Sequence, residues 1–431
     1  MNVNKVKPNG LALLPIIVFL ILFIGVGVVQ KDFYSMPAVI GFLIALAVAF
    51  LQTKGISFNE KISIIAKGVG DDNIITMCLI FLVAGAFSGS VSAAGGVNST
   101  VNLGLSLLPP GIAVIGLFII GCFISISMGT SMGTIAALAP IAMGISEKTD
   151  FPIAICIGAV VSGAMFGDNL SMISDTTIAA VRTQGCDMRD KFRKNFLIVL
   201  PAAIATIAIL FFMTSGAHFT VSKNLDYNIF QVIPYILVLV TALIGLNVFI
   251  VLICGITFSV IAGLATGAMK VSQIFTSMGE GATGMYDITV ISILVACISA
   301  LVKYNGGFAF ILENIHKHIH SYKGAEFGVA ALVGLIDCAT ANNTVAIVIA
   351  GPIAKEISDD YGIEPARTAS LLDMFASVFQ GIIPYGAQLL SAASLTGLSS
   401  FDIMPYLFYP YLMAVCGIVS IIISKKKLGK A

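Results

Sequence analysis

The chain has 431 residues, of which 58% are hydrophobic and only 10% are charged, and its mean hydropathy is +1.01. This balance excludes an ordinary soluble domain and is typical of a polytopic helical membrane protein. The formal net charge of +1 gives no electrostatic basis for binding nucleic acid. We therefore expect this chain to lie in the lipid bilayer and to bind no nucleic acid.

Apolar runs that could form all or part of a membrane span follow one another along the whole chain. The first is too long for the apolar part of a signal peptide, and no A-x-A cleavage site follows it, so we expect a retained span. Several later runs are too short to cross a bilayer alone. The runs are Leu11–Val29, Pro37–Leu51, Ile74–Val91, Gly111–Met128, Ile135–Ile145, Pro152–Phe166, Phe196–Met213, Phe230–Leu246, Val248–Ala265, Thr289–Val302, Val329–Ile336, Val345–Ile353, Thr368–Ile383 and Met404–Ile423.

Four polar segments flank the short runs. The second of them, Gly167–Thr177, lies inside Pro152–Arg182, a stretch of about 46 Å if it were one helix, against roughly 30 Å of bilayer core. Gly167 and the Asn, Ser and Asp content favour a local break in that helix. The four polar segments are Ser125–Thr134, Gly167–Thr177, Asp337–Thr344 and Pro384–Ser391.

Carboxylates within membrane segments indicate ion binding, because charge is costly there and normally faces a cavity or a bound ion. Asp168 is the first candidate for the coupling carboxylate, since one carboxylate can bind either Na+ or a proton. If the segment stays helical, Ser171 and Asp175 share its face. Asp175 is the second candidate; the alternative is that it caps a helix starting at Thr176. Asp373, about three turns before the fourth polar segment, is the third.

Hydroxyls, amides and bared carbonyls in the polar segments are the expected oxygen ligands. For Na+ itself we predict Asp168, Ser131 and Thr134 as ligands. The alternative for the first segment is that Gly129 and Gly133 simply let two helices approach. The predicted ion- or substrate-binding residues are Thr130, Ser131, Thr134, Asn169, Ser171, Ser174, Thr177, Asn342, Asn343, Thr344, Gln388 and Ser391.

The sequence repeats internally. Pro140–Ser146 is similar to Pro352–Ser358, and Phe81–Gly85 is similar to Ile293–Cys297. Both similarities have the same offset along the chain, the one that separates Pro140 from Pro352. Polar segments at matching positions of two halves point to the binding site of a secondary transporter.

We therefore expect an all-α polytopic membrane protein of two inverted-topology repeats, residues 1–220 and 221–431. Each repeat would have about five transmembrane helices and one re-entrant hairpin, with hairpin tips at Gly129–Thr134 and Thr340–Thr344 and broken helices at the site. An odd number of crossings in each half inserts the halves with opposite topology.

Positively charged loops favour cytoplasmic N- and C-termini in a multi-pass protein of the plasma membrane (inner membrane). This topology assigns one set of cations to the cytoplasmic side. They are Lys5, Lys7, Lys54, Lys61, Lys67, Arg182, Arg189, Lys191, Arg193, Lys194, Lys303, Lys317, Lys323, Lys425, Lys426 and Lys427.

The motifs Gly-Thr-Ser-x-Gly-Thr at Gly129–Thr134 and Gly-Asp-x-x-Ser-x-x-Ser-Asp-Thr-Thr at Gly167–Thr177 resemble those of the NhaC-type Na+/H+ antiporters. The likeness continues through Ala366–Thr368, Asp373 and the Ile-Pro pair at residues 383–384. The resemblance implies inverted repeats with two hairpins, Na+ and H+ as transported or coupling ions, and no cofactor.

The chain departs from the antiporter pattern at Met132, at Met172, at Pro384–Gly386 and at Asn169, where a Lys is common in that family. These changes remove a cation and large rings from the presumed pathway, so an organic substrate stays open. The leading hypothesis is a cation-coupled secondary transporter, most simply a Na+/H+ antiporter. The alternative is a Na+- or H+-coupled transporter of a small organic anion or amino acid on the same scaffold.

Other function classes fit less well. An intramembrane enzyme is not favoured, because the sequence has no HExxH or CxxC motif. Gly129–Gly133 matches GxSxG by letter but lacks the strand-to-helix context of a nucleophile elbow. A channel would not need a doubled set of broken helices. A homodimer is compatible with the sequence, which does not decide the oligomeric state.

Overall fold

A computed structural model describes residues 6–30, 36–107, 110–149, 151–172, 174–215, 225–244 and 246–424. All regular structure in these ranges is helical, as expected. The helices of the first part are α1 Leu14–Gln30, α2 Ala38–Gln52, α3 Phe58–Val69, α4 Asp72–Ala93, α5 Gly96–Leu107, α6 Pro110–Met128, α7 Ser131–Thr149, α8 Ile153–Leu170, α9 Asp175–Gln184 and α10 Met188–Thr214. Those of the second part are α11 Ile229–Leu243, α12 Val248–Thr266, α13 Ile274–Thr283, α14 Tyr286–Tyr304, α15 Gly307–Lys317, α16 Tyr322–Thr340, α17 Asn343–Tyr361, α18 Pro365–Ile382, α19 Ala387–Thr396, α20 Ser400–Ile403 and α21 Phe408–Ile423.

Five stretches of the described residues are long and apolar enough to cross a membrane, and the bent pair α20–α21 would make a sixth. They are α4, α10, α12, the joined pair α8–α9 and the joined pair α13–α14. Further apolar helices, among them α2, are shorter. The expected count of five full spans in each half stays a prediction. Of the cations assigned to the cytoplasmic side, Lys5, Lys425, Lys426 and Lys427 lie outside the described residues.

Helix bounds recur along the chain. The four helices α6 to α9 recur in the same order as α16 to α19, and every start and end is displaced by the offset that separates Pro140 from Pro352. The breaks recur as well: Gly129 (φ +69°) and Ala341 (φ +47°) have left-handed backbones at that offset, and so do Gly185 and Gly397 after α9 and α19. Two stretches that share few residues thus form the same helix–break–helix pattern.

The recurring helices pack across one another at the centre of the molecule. α7 contacts α19, α17 contacts α9, and α8 contacts α18. The two central helices are buried almost throughout, from Ile155 to Leu170 in α8 and over most of α18. The broken ends of α7, α9, α17 and α19 therefore meet around this central pair.

The break in the second polar segment lies later than the composition indicated. α8 continues through Gly167 to Leu170, the chain leaves the helix at Ser171, and α9 begins at Asp175. Gly167 is needed for packing instead. A Cβ there would lie 2.5 Å from the Cys122 carbonyl oxygen of α6, so α6 and α8 touch through glycine.

Gly163 in α8 provides a test of this contact. A Cβ at Gly163 would lie 2.3 Å from the carbonyl oxygen of Phe118, whereas nothing lies within 4 Å of a Cβ at Gly116 of α6. We expect Gly163→Ala to lower the stability of the detergent-solubilised protein by about 1–3 kcal/mol, because α6 and α8 must separate. Gly116→Ala should change it by less than about 1 kcal/mol. Equal thermal shifts for both variants would contradict this packing.

Candidate functional site

A cavity of about 610 Å³ lies where α4, α7, α8 and α9 meet α17, α18 and α19. It brings together three of the four predicted polar segments and reaches Gln388 of the fourth. The predicted residues that line it are Thr130, Ser131, Asp168, Ser174, Asp175, Asn342, Asn343, Thr344 and Gln388. Asp72, Thr76 and Gln380 also line it, and none of these was predicted from the sequence.

Asp168 lies at the wall of this cavity and is only 5% exposed. One carboxylate oxygen accepts a hydrogen bond of 2.7 Å from the Ser131 hydroxyl, and the other accepts one of 2.6 Å from the Ser174 hydroxyl. Ser131 is the first residue of α7 and Ser174 is the N-cap of α9, so two positive helix ends face the last turn of α8. This arrangement suits an ionised carboxylate.

A chain of amide side chains connects Asp168 with the second half of the sequence. Gln388 Nε2 donates to Ser131 Oγ over 3.0 Å, and Gln380 Nε2 donates to Gln388 Oε1 over 2.7 Å. Gln380 Nε2 also lies 3.2 Å from the carbonyl oxygen of Ala341, at the break between α16 and α17. The polar segments of the two halves therefore form one hydrogen-bonded network.

Asp373 lies in a second cluster, away from the cavity lining. Its Oδ2 accepts hydrogen bonds from the Lys191 ammonium and, over 3.0 Å, from Thr177 Oγ1. Lys191 also donates to Thr177 Oγ1 and to the carbonyl oxygen of Asn169, both over 2.9 Å. A buried cation thus neutralises this carboxylate.

The placement of Lys191 in a loop was wrong, and its assignment to the cytoplasmic side stays a prediction. α10 begins at Met188, so Lys191 lies in its first turn, and the side chain extends into the protein and is fully buried. Lys191 places an ammonium at the carbonyl of Asn169, but in a cluster away from the cavity, so the inference that Asn169 removes a cation from the pathway stays a prediction.

Asn169 joins three helices and does not face the cavity. Its side-chain oxygen accepts a hydrogen bond of 2.8 Å from Asn195 of α10, whose own oxygen accepts one from Ser370 of α18 over 3.2 Å. Its amide lies 3.5 Å from the Ser377 hydroxyl. Asn169 therefore stabilises the packing of α8, α10 and α18.

Some of the remaining predicted residues line the cavity, and the others cap or connect the helices around it. Asp175 is exposed to the cavity and is the first residue of α9 rather than its cap, because Ser174 holds the N-cap position. The Asn342 side chain accepts the backbone NH of Val345 over 2.9 Å and caps α17. Outside the cavity lining, Ser171 donates to the carbonyl of Ile126, Thr134 donates to that of Thr130, and Ser391 is buried on α19.

Sequence reasoning missed Lys191 and Gln380. Lys191 stands among other charged residues, and only the path of α10 shows its burial. A signal for Gln380 was present, because the offset of the internal repeat carries Asp168 onto Gln380, at the same place in the recurring helices.

Comparison with known proteins identifies the family. The family model of the Na+/H+ antiporter family matches residues 9–215 and 224–424. The chain belongs to the Na+/H+ antiporter family. This confirms the resemblance found in the motifs. Together with the apolar helices, it makes the chain a multi-pass membrane protein of a transporter family.

Three relatives of this chain are named for the exchange of different solutes. The chain is 23% identical to the malate-2H(+)/Na(+)-lactate antiporter of Bacillus subtilis, over 93% of this chain and 92% of the relative. It is 23% identical to the Na(+)/H(+) antiporter NhaC of the same organism, over 87% and 90%. It is 24% identical to the arginine/ornithine antiporter ArcD of Halobacterium salinarum, over 95% and 91%.

The buried ion pair of this antiporter predicts a specific pattern of stability. We expect Lys191→Met to destabilise the protein by roughly 3–5 kcal/mol, because Asp373 is then a buried unpaired charge. Adding Asp373→Asn should restore most of the loss. Lys194→Met removes a partly exposed pair with Glu364 and should cost less than about 1 kcal/mol. Thermal unfolding in detergent measures all four proteins, and a double variant no more stable than Lys191→Met would refute this account.

Proposed function

We propose that this antiporter exchanges Na+ for H+ at the carboxylate of Asp168. The observation that carries the proposal is the position of this carboxylate: it borders the 610 Å³ cavity at the meeting point of three helix ends, and it has no cation partner among the described residues. Asp373, in contrast, has its own buried cation. Asp168 is thus a buried acid that lines the cavity and is free to take a transported ion.

Competition for one group is sufficient for exchange. The hydroxyls of Ser131 and Ser174 now donate to Asp168, and each oxygen retains a lone pair that can turn towards Na+. Thr134 positions the carbonyl of Thr130 for the ion, because its hydroxyl donates to that carbonyl over 2.9 Å. When a proton binds the carboxylate, its charge is lost and Na+ leaves. The reverse sequence on the other membrane side completes the cycle.

Asp175 and Asp373 take supporting roles in this proposal. Asp175 is exposed at the cavity and attracts cations towards Asp168. Asp373 takes part in coupling through its ion pair with Lys191, which ties α8, α9, α10 and α18 together around Asn169 and Thr177. A movement of α9 would have to rearrange that pair.

Two inverted-topology repeats, residues 1–220 and 221–431, provide the alternating access in this proposal. The recurrence of helix bounds at one constant offset supports them, as does the reciprocal packing of α7 on α19 and of α17 on α9. α6–α7 and α16–α17 are then the two re-entrant hairpins. The termini lie in the cytoplasm and the protein lies in the plasma membrane.

Inverted repeats predict that equivalent residues lie on opposite sides of the membrane. Glu147 of α7 and Asp359 of α17 are both at the surface of the protein and are equivalent by the repeat offset. In a variant without the native cysteines, we expect Glu147→Cys and Asp359→Cys to react with a membrane-impermeant maleimide from opposite sides of oriented vesicles. Labelling of both positions from one side would contradict the inversion.

A small organic anion or amino acid is the second candidate substrate. The cavity volume of about 610 Å³ is within the range of small-molecule sites, and the amides of Asn343 and Gln388 border it. The relatives named for malate and lactate or for arginine and ornithine support this candidate. It would use the same Asp168 carboxylate for cation coupling.

Na+ binding across pH tests the main proposal. We expect the apparent Na+ affinity of the purified protein to weaken as pH falls, since a carboxylate must be ionised to hold Na+. Asp168→Asn should abolish Na+-driven proton movement in proteoliposomes while leaving the fold intact, and Asp287→Asn, an exposed acid away from the cavity, should not.

The outcomes of these measurements discriminate between the candidates and test the role of Asp168. Na+/H+ exchange with no organic solute present supports the antiporter. Transport only after malate, lactate, arginine or ornithine is added supports the second candidate instead. Na+ affinity that stays flat across the acidic range, or wild-type exchange by Asp168→Asn, would overturn the role of Asp168.

A further inference from the structure

A second buried carboxylate near the cavity has no role in the exchange at Asp168. Asp337 lies in the last turn of α16 and is fully buried, and neither carboxylate oxygen has a hydrogen-bond partner among the described residues. The C-terminal end of a helix carries partial negative charge, which makes an anion there still less favourable. An unpaired buried charge is too costly to persist, so the side chain has to bind a cation or a proton.

No neighbouring side chain in the described part of the chain supplies that cation. The thiol of Cys338 and the phenol of Tyr385 are titratable groups in the same region, and Tyr385 donates its hydroxyl to the carbonyl of Cys338 over 2.8 Å. On the helices packed against α16, Lys317 and Lys355 are exposed at the surface and Lys303 is partly exposed. Arg367 of α18 pairs with Glu326, and the buried Lys191 of α10 pairs with Asp373.

A proton fits this position better than a metal ion. Asp337 is not among the residues that line the cavity. A Na+ ion needs several oxygen ligands around it and the space to hold them, whereas a proton needs one carboxyl oxygen and an acceptor. α16 packs against α18, which carries Gln380, and the side-chain oxygen of Gln380 is itself buried without a partner among the described residues.

Gln380 also connects this position with the cavity and with Asp168. It lines the cavity, and its amide begins the hydrogen-bonded chain through Gln388 and Ser131 that ends on the Asp168 carboxylate. In the recurring helices Gln380 occupies the place of Asp168, and Asp337 occupies the place of Ser125. Each half thus has a buried acid shortly before a helix break, but on a different helix.

We propose that Asp337 is a second proton-binding site, which takes up and releases H+ during the transport cycle in addition to Asp168. The proposal rests on the Na+/H+ exchange proposed above. The proton binds a carboxylate oxygen of Asp337 when the cavity faces one side of the membrane, and the same O–H bond breaks to release it when the cavity faces the other side. The antiporter then moves about two H+ for each Na+, so net charge crosses the membrane in every cycle.

Counting protons in proteoliposomes tests this stoichiometry with the full chain. We expect Asp337→Asn, which keeps the shape of the neutral acid, to retain Na+ transport but to move about half as many H+ per Na+, and to lose its response to membrane potential. Ser299→Ala is the matched control. Ser299 of α14 donates a hydrogen bond to the carbonyl of Ala339, in the same turn of α16 as Asp337, but its hydroxyl does not exchange a proton in the transport cycle. An unchanged ratio of H+ to Na+ in Asp337→Asn would overturn the proposal.

Infrared spectroscopy separates this site from Asp168 and does not depend on transport. In Asp168→Asn protein we expect a carbonyl band of a protonated carboxylic acid that changes with pH and is absent from the variant carrying both substitutions. A band that never changes with pH would show a permanently neutral structural acid and would overturn the proposal. Na+/H+ exchange by Asp168→Asn would defeat the proposed function instead, and the infrared result would still decide Asp337. If Asp337→Asn does not fold, Asp337→Glu in the Asp168→Asn protein should shift the band and so identify it.

Discussion

The cost of charge in an apolar interior constrains the central part of this protein. Three carboxylates, those of Asp168, Asp337 and Asp373, are buried there, and each has a different set of hydrogen-bond and ion-pair partners. Asp373 has a lysine partner, Asp168 receives two hydroxyl hydrogen bonds at converging helix ends, and Asp337 has neither among the described residues. Because a buried charge must be neutralised or solvated by the protein, these differences assign different capacities for binding ions.

Broken helices make such a centre feasible. At the starts of α7 and α9, backbone NH groups have no helical partner, and they lie beside Asp168, a carboxylate that lines the cavity from a buried position at the end of α8. An unbroken helix would satisfy all of these groups internally and leave Asp168 surrounded by apolar side chains. The break therefore provides both the stabilisation of the carboxylate and its access to the cavity.

Near-symmetry of the helices coexists with asymmetry of the side chains. The bounds of α6 to α9 recur in α16 to α19, yet Asp168 corresponds to Gln380 and Ser131 corresponds to Asn343. Small residues such as Gly163 preserve the close helix contacts on which the framework depends. Packing thus fixes the scaffold, while substitutions at a few polar positions set which ions and solutes it can exchange. The differing activities named for the relatives are in keeping with this division.

The sequence by itself determined the membrane class, the helical fold, the family and the polar segments, because hydropathy, helix-breaking composition and two motifs are local properties of the chain. The offset of the internal repeat was readable for the same reason. Which polar residues share one cavity depended on contacts between distant helices, so only the tertiary structure joined Ser131 to Gln388 and separated Asp373 from Asp168. Lys191 shows the limit most clearly. In sequence it belongs to a charged run after a short helix, and only the direction in which α10 enters the bundle places its ammonium against Asp373. Burial of a charge is a property of the packed helices around it, and no local pattern records it.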